Sequence, residues 1–401
     1  MKSSKQVAAL LDRGVRVPVP EAVFVGPEVD PRRIEAGGIV HPGCRLGGET
    51  LAIGPDCILG EEGPVTVRDC QLGARVRLRG GFFDRATLLD DADAGSCAHV
   101  RFGSLLEEHV STGHAVGLKQ TVLFPYAVAG SLINFCDCLL AGGTGPKNHS
   151  EVGSSYIHFN FTPHQDKATA SLIGDVPHGV LLDQLPIFLG GQGGLVGPCR
   201  IAFGTVLAAG QVWRHDVTEP GHLLLHAAPS TTVDQPYDPR IMNAIERRVA
   251  NNLIYLGNLL ALDVWWRHAR APFAREPWQR HVHAGALARL DEMFIERCKR
   301  LDGFAAKVAV SAGLATGAHS ERQQAFIDVW PSLRTSLAAR IDSRTSLVPP
   351  PAARAALARD ADADSGYLNW VASRNDTERK TLTAWLQEIV DGTKQKGKGK
   401  T

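Results

Sequence analysis

The chain has few aromatic residues, no long hydrophobic run and almost no net charge. Aromatic residues make up only 6% of the 401 positions, which argues against a β-sandwich filled with large side chains. The apolar segment 253–262 is interrupted by Gly257 and Asn258 and is too short to span a bilayer, and residues 1–19 lack the apolar core of a signal peptide. A formal net charge of +1 favours neither a nucleic-acid nor a membrane partner. We therefore expect a soluble cytoplasmic protein.

The eight cysteines do not have the spacing of a metal site or of a disulfide framework. Cys44, Cys57 and Cys70 recur every 13 residues, as expected for small apolar groups that fill the corners of a repeat. Cys136 and Cys138 form a Cys-X-Cys pair without two further ligands nearby. We predict packed, reduced cysteines and no metal.

Glycine and proline are abundant, with 41 and 23 copies, and many of them lie at the turns of a hexapeptide repeat. The cleanest part, residues 195–212, divides into three blocks of six that begin at Leu195, Ile201 and Leu207 and carry small residues at the turns. Such a repeat folds into a three-walled prism of short parallel strands, with about 18 residues in each coil. A degraded form of the pattern begins at Val23. The sequence therefore predicts a parallel β-helix.

The composition changes beyond the repeat. Ile241, Ile245, Val249 and Leu253 follow helical spacing, and further helical segments come after them. We predict a mainly β plus α protein in which the β-helix is followed by an all-helical domain. The predicted divisions are an N-terminal helical cap and lead-in (1–22), the hexapeptide-repeat β-helix (23–217), a linker (218–239), the helical domain (240–392) and a basic tail (393–401).

Two cations stand one full coil apart in the repeat. Arg101 and Lys119 are separated by 18 residues, so we expect them to lie one above the other on the same wall, roughly 5 Å apart. Stacked cations repel each other unless a negative group lies between them. That group is either a bound phosphate or pyrophosphate, or a salt-bridge partner such as Glu107 or Glu108.

A second cluster of polar residues lies further along the repeat. His158, Asn160, His164, Asp166 and Lys167 fall within ten residues. Few purely structural corners need so many different polar groups. The segment therefore predicts a ligand site.

Residues 98–217 resemble the acetyltransferase half of the bacterial bifunctional N-acetylglucosamine-1-phosphate uridyltransferase/glucosamine-1-phosphate acetyltransferase. The resemblance is carried by Arg101, Lys119, Asn160, the Ile173-Gly174-Asp175 triplet and the hexads of 194–210. It implies a left-handed β-helix, a homotrimer, acetyl-CoA or another acyl-CoA as donor, and a sugar phosphate or a nucleotide sugar of the UDP-N-acetylglucosamine type as ligand. The uridyltransferase half has no counterpart in this sequence, so we expect no uridyl transfer.

The same resemblance implies a set of substrate-binding residues: Arg101, Lys119, Asn134, Glu151, Asn160 and Lys167. The sequence also departs from the family. Ser131 stands where the family has its general-base histidine, Asn134 replaces a tyrosine and Glu151 replaces an asparagine. Serine cannot accept a proton at neutral pH as imidazole can, and loss of a positioned base slows a reaction by about 10² to 10⁴.

Three hypotheses follow from this pattern. In the first, the protein is an acyltransferase in which His158 or His164 replaces the missing base, with His114 and His149 as further candidates. In the second, it is a non-catalytic sugar-nucleotide-binding or scaffold protein. In the third, the polar residues lie on the outer wall of a β-helix that has only a structural role. The sequence leaves open whether the protein is an enzyme.

Overall fold

The computed structural model describes residues 5–160, 168–225, 238, 240–359 and 366–394. It contains a left-handed parallel β-helix followed by a helical region, so the predicted fold class is confirmed. The division into domains stays a prediction. The last strand of the β-helix, Leu223–Leu224, lies beyond the predicted end of the repeat at residue 217.

The prism has three walls, here called A, B and C, and most coils contribute one short strand to each wall. Wall A is a ten-stranded parallel sheet. Its strands are β2 (Ile39–Val40), β5 (Ile58–Leu59), β8 (Arg77–Leu78), β11 (Asp93–Ala94), β14 (Ser111–Thr112), β16 (Val128–Ala129), β20 (Glu151–Val152), β23 (Phe188–Leu189), β26 (Val206–Leu207) and β28 (Leu223–Leu224).

Wall B follows wall A in each coil and carries the predicted site. Its strands are β1 (Phe24–Val25), β3 (Arg45–Gly47), β6 (Val65–Arg68), β9 (Gly81–Asp84), β12 (Ala98–Val100), the first parts of β15 (Gly117–Leu123) and β17 (Asn134–Leu140), β21 (Ile157–Phe159), β24 (Gly194–Val196) and β27 (Val212–Trp213).

Wall C completes the prism. Its strands are β4 (Ala52–Ile53), β7 (Gln71–Leu72), β10 (Ala86–Leu88), β13 (Ser104–Leu106), the second parts of β15 and β17, β22 (Ser171–Ile173) and β25 (Arg200–Ile201). Strands β15 and β17 continue around the corner between walls B and C at Gln120 and Asp137, whose φ angles are 53° and 64°. An antiparallel hairpin of β18 (Gly143–Gly145) and β19 (Asn148–His149) interrupts the coils.

The alternation of side chains along each strand determines which residues face the interior of the prism. Successive residues of a strand point to opposite faces, so one of every two faces the interior. On wall B the interior column contains Phe83, Val100, Leu118 and Phe135, which are all buried, and parallel registers stack them on one another. This narrow apolar column is the core of the β-helix.

Eight α-helices accompany the β-helix in the described residues, and the first of them packs on strand β1. They are α1 (Lys5–Asp12), α2 (Val176–Gly179), α3 (Ile245–Trp265), α4 (Pro277–Ala312), α5 (Ala318–Asp342), α6 (Pro351–Ala358), α7 (Tyr367–Ala372) and α8 (Asp376–Lys394). Helix α4 begins with a capping box, in which the Glu276 and Gln279 side chains satisfy each other's backbone N–H groups, and with Pro277 in its first turn. Among the helices that the structure describes, none combines the length and apolar character needed to cross a bilayer.

Helix α3 and helix α4 pack against wall C. Helix α4 contacts strands β4, β7, β10, β13 and β15, and helix α3 contacts β22. The outward column of wall C is buried beneath these helices, with Leu105, Val122 and Leu139 at 0% exposure. Gly285 of α4 lies so close to wall C that an added Cβ would meet Gln71 Oε1 at 2.3 Å. The helical region therefore covers wall C, and α4 also reaches the edge of wall B.

Candidate functional site

A cavity of about 300 Å³ lies where wall B meets helix α4. Its lining residues are Arg101, Lys119, Cys136, Asp137, His158, Phe159, Asn160, Thr169, Glu296 and Arg300. The structure thus brings four of the predicted site residues, Arg101, Lys119, His158 and Asn160, to one place. Their roles in binding stay predictions.

Arg101 and Lys119 lie in adjacent coils of wall B, as their spacing of one coil predicts. Val100 is in register with Leu118, and the Arg101 N–H donates to the Leu118 carbonyl at 2.8 Å. Lys119 Nζ lies 4.6 Å from the centre of the Phe102 ring, a cation–π contact. Arg101 Nη2 is 3.7 Å from Cys136 Sγ. The buried Nε atom of Arg101 has no hydrogen-bond partner within the described parts of the chain.

Helix α4 supplies a carboxylate opposite these cations. Glu296 Oε1 lies 3.8 Å from Lys119 Nζ and also accepts hydrogen bonds of 2.6 and 2.8 Å from Arg300. Burial opposes ionisation of Glu296, but the Arg300 hydrogen bonds and the nearby cations bring its pKa below the ordinary value. The cavity therefore holds the cations Arg101, Lys119 and Arg300 beside the carboxylates Glu296 and Asp137.

The salt-bridge alternative considered from the sequence named Glu107 or Glu108, and this assignment is wrong. Both carboxylates bind Arg270 instead, at 2.9 Å from Glu107 and 2.6 Å from Glu108. The Arg270 guanidinium also lies over the Trp266 ring at 4.5 Å. This cluster joins the β-helix to the helical turn Trp266–Arg270 that follows α3, and it does not neutralise Lys119.

A buried ion pair fixes α4 at the edge of the cavity. Arg297 Nη2 donates to Asp137 Oδ1 at 2.5 Å, and only 1% of the Arg297 side chain is exposed. Burial raises the pKa of Asp137, while the Arg297 and Lys119 charges oppose that shift. Since Asp137 forms the corner after Cys136, this pair holds the helix against the same coil that carries the cavity.

His158 points into the prism, which argues against its predicted role as general base. It is in register with Leu195 and continues the interior column of Leu118 and Phe135. Its Nε2 atom lies 2.9 Å from Ser171 Oγ, and burial lowers its pKa to about 4. A base this weak, with its nitrogen already hydrogen-bonded, is poorly suited to accept a proton at neutral pH. We interpret His158 as a core residue whose backbone borders the cavity.

The other predicted site residues do not line the cavity or lie outside the described residues. Ser131 lies at the corner between walls A and B, and its Oγ is 2.8 Å from His114 Nδ1. Asn134 is exposed at the start of β17, and Glu151 is exposed on wall A. His149 is on the β18–β19 hairpin, where Nδ1 is 2.9 Å from the Pro146 carbonyl. His164 and Lys167 lie outside the described residues.

Sequence reasoning missed Asp137, Glu296 and Arg300 as residues of this cavity. Glu296 and Arg300 are four residues apart on α4 and share one face of the helix, a pattern that also occurs on ordinary exposed helices. No local signal distinguishes them. Only the docking of α4 on the β-helix brings them to Arg101 and Lys119.

The described residues offer no resident metal site. Within the ranges that the structure covers, no group of three or more His, Cys, Asp or Glu side chains is arranged to hold a metal ion. All eight cysteines are free, and Cys44, Cys57 and Cys70 are buried in the prism. Burial raises the pKa of Cys136 despite the nearby Arg101 and Lys119, so its thiol stays protonated near neutrality.

The prism of short parallel strands, built from blocks of six residues, defines the class by its fold: a hexapeptide-repeat β-helix protein. No family model matches the chain. Known proteins described as bifunctional protein GlmU do match it. The protein from Pelobacter propionicus is 27% identical over 212 residues, which is 53% of this chain and 39% of the relative. The protein from Trichlorobacter lovleyi is 28% identical over 221 residues, which is 55% of this chain and 43% of the relative.

The matched part of GlmU is limited. A third relative, from Thermotoga petrophila, is 24% identical over 214 residues and is covered over 42% of its length. The chain thus spans less than half the length of the relatives it matches. The similarity and the β-helix together fit the C-terminal acetyltransferase half of GlmU, and the resemblance predicted from the sequence is confirmed.

Proposed function

We propose that the protein is an acyl-CoA-dependent acyltransferase whose acceptor is a sugar phosphate or a nucleotide sugar of the UDP-N-acetylglucosamine type. The acceptor binds in the cavity between wall B and α4. The observation that carries this proposal is the convergence of Arg101, Lys119 and Arg300 with the Asn160 amide in one cavity. Three cations and an amide suit a ligand that has both a phosphate and hydroxyl groups.

Each lining residue has a role set by its chemistry. Arg101 offers a planar guanidinium with an unused buried N–H, which can donate to a phosphate oxygen. Lys119 adds a point charge whose present counter-ion, Glu296, is 3.8 Å away rather than in a tight pair. Asn160 donates to, and accepts from, sugar hydroxyls. Arg300 extends the cationic surface from the side of the helix.

The resemblance to the acetyltransferase half of GlmU supports an acyl-CoA as donor. In such a transfer, an amine or hydroxyl of the acceptor attacks the thioester carbonyl and loses a proton, while the CoA thiolate leaves. The phosphate-binding cations hold the acceptor in place for that attack. Acetyl-CoA is the donor to test first.

The direct test measures CoA release from acetyl-CoA. We expect release only when an amino- or hydroxy-sugar phosphate is present, and we expect Arg101→Ala to reduce it by raising KM. If no acceptor in a broad panel gives release, the proposed acyl transfer is wrong.

A non-catalytic role is the second candidate, and two observations favour it. Ser131 occupies the position of the family's base, and His158 faces the interior. Under this alternative the same cavity binds a nucleotide sugar without turnover. A thermal shift with UDP-N-acetylglucosamine that disappears in Arg101→Ala, combined with absence of CoA release, would identify this function.

We further propose a homotrimer that assembles through walls A and B. Wall C is covered by α3 and α4, so it is not free for a second copy. Wall A carries an apolar outward column in which Phe188, Val206 and Leu223 are in register and exposed. Such a stripe on successive coils is a suitable surface for contact between copies of the same prism.

A further inference from the structure

One polar pair on the β-helix lies outside the cavity and is unexplained by phosphate binding. Ser131 Oγ is 2.8 Å from Nδ1 of His114, which belongs to the preceding coil. His114 is exposed. Ser131 therefore stands in contact with an imidazole at the position where the related acetyltransferases have their base.

The pair is held by its surroundings on several sides. The Ser131 N–H donates to Ser154 Oγ at 3.1 Å, and the Leu132 N–H donates to the His114 carbonyl at 3.0 Å. Gly113 allows the two coils to approach closely, because an added Cβ would meet Ser131 Oγ at 2.5 Å. These contacts fix the serine hydroxyl opposite the imidazole before any ligand arrives.

We propose that Ser131 and His114 together form the general base of the site. This inference rests on the acyl transfer proposed above. Serine alone cannot hold a proton, but a neutral imidazole nitrogen can accept one. For the relay, His114 is neutral with its proton on Nε2, so that Nδ1 accepts from the Ser131 hydroxyl.

The pair and the cation cavity lie along one wall. Lys119 is in register with Cys136, five residues after Ser131, and the exposed Asn134 lies between them. Residues 132–135 lie between Ser131 and that register, and the chain turns at Leu132, so the two are at most about 17 Å apart at about 3.3 Å per residue. A hexose phosphate spans this length when the long Arg101 and Lys119 side chains reach for its phosphate. Its amine or hydroxyl then faces Ser131.

The proposed step balances in atoms and charge. The acceptor nitrogen or oxygen forms a bond to the thioester carbonyl carbon, its proton moves to Ser131 Oγ, and the serine proton moves to His114 Nδ1. The tetrahedral intermediate then collapses, the carbon–sulfur bond breaks, and the imidazolium returns the proton through Ser131 to the CoA thiolate. The products are the acylated acceptor and free CoA thiol.

The test compares turnover with ligand binding in the full-length protein. We expect His114→Ala and Ser131→Ala each to lower kcat/KM for acyl transfer by about 10² or more, while the Kd for the sugar phosphate changes less than about threefold. His281→Ala, which removes a histidine of α4 that does not line the cavity, is the matched control and should retain full activity. The double variant His114→Ala/Ser131→His should be at least about tenfold faster than His114→Ala alone, since it returns an imidazole to the corner.

A pH profile separates a base from a merely structural role. The wild-type kcat/KM should fall in acid as the base becomes protonated, and this acid limb should vanish in His114→Ala. If the wild type turns over and His114→Ala has the same rate and pH profile, the inference is wrong and the acyl transfer stands. If the wild type shows no turnover, both the inference and the acyl transfer are wrong.

Discussion

Lys119 Nζ lies 3.8 Å from Glu296 Oε1, so a cation of wall B and a carboxylate of helix α4 share one cavity. The two residues are far apart in the sequence. Because the lysine also contacts the Phe102 ring, it is held in place without a close ion pair. A bound phosphate would compete with Glu296 for the same ammonium group. The helical region therefore takes part in the proposed site.

This relationship predicts the effect of removing the carboxylate. Glu296→Gln should strengthen binding of a sugar phosphate about three- to tenfold, a change of up to about 1.4 kcal/mol, because it removes a negative charge that repels the ligand. Isothermal titration calorimetry measures the change. Glu292→Gln is the matched control, since Glu292 lies one turn earlier on α4, pairs with Arg289 and does not line the cavity. Weaker binding in Glu296→Gln would contradict this role.

The buried pair of Arg297 and Asp137 makes a prediction about stability. Arg297→Met should reduce the free energy of unfolding by about 3 to 5 kcal/mol, because Asp137 is left as an uncompensated buried charge. Urea denaturation measures the loss. The double variant Arg297→Met/Asp137→Asn should recover much of the lost stability. A single variant as stable as the wild type would show that the pair does not anchor α4.

His158 should make the protein less stable in acid. Its folded-state pKa of about 4 lies below the ordinary 6.5. Between pH 4 and pH 6.5 the unfolded chain therefore binds a proton at this histidine that the folded chain does not bind. The stability contribution is intact above about pH 6.5 and is lost as pH falls towards 4, with a full difference of about 3 kcal/mol. Urea unfolding at pH 7 and pH 4.5 should show a smaller acid loss for His158→Gln than for the wild type. Equal losses would contradict the buried, neutral assignment.

The proposed trimer makes a prediction about mass. Light scattering of the wild type should give three times the chain mass of 43.1 kDa. Val206→Arg should give the mass of a single chain, because it places a charge in the apolar column of wall A. Ile295→Arg is the control, since Ile295 is exposed on α4 and does not belong to the apolar column of wall A. A monomeric wild type would rule out the assembly.

The sequence predicted the parts of the fold that follow from a local repeat. Leu195, Ile201 and Leu207 begin successive hexads and are all buried in the prism. The spacing of Arg101 and Lys119 by one coil also placed them correctly in adjacent strands. Both predictions depend only on counting residues around a coil of nearly constant length.

The orientation of His158 could not be read from its own strand. Its neighbours Ile157 and Phe159 are apolar, so local alternation favours an outward histidine. The register with Phe135 and Leu195 in adjacent coils decides otherwise and turns the two apolar neighbours outward. Tertiary stacking thus overrides the local pattern.

A pattern in the sequence, which the sequence predictions did not use, indicates that wall C is covered. Leu105-Leu106, Val122-Leu123 and Leu139-Leu140 are consecutive apolar pairs, and strands that are apolar on both faces are typical of a sheet covered on both sides. The pattern indicates that something packs there. It does not identify α4, nor which of its side chains reach the cavity.

The central claim is that the cavity between wall B and α4 binds the phosphate of a sugar phosphate, and calorimetry with glucosamine 1-phosphate tests it most directly. The account predicts saturable binding to the wild type, at least about tenfold weaker binding to Arg101→Ala, unchanged binding to Arg45→Ala, and no comparable binding of glucosamine. Arg45 lies on the same wall over the Phe24 ring and does not line the cavity. Absence of binding, or equal affinity in Arg101→Ala and the wild type, would contradict the account.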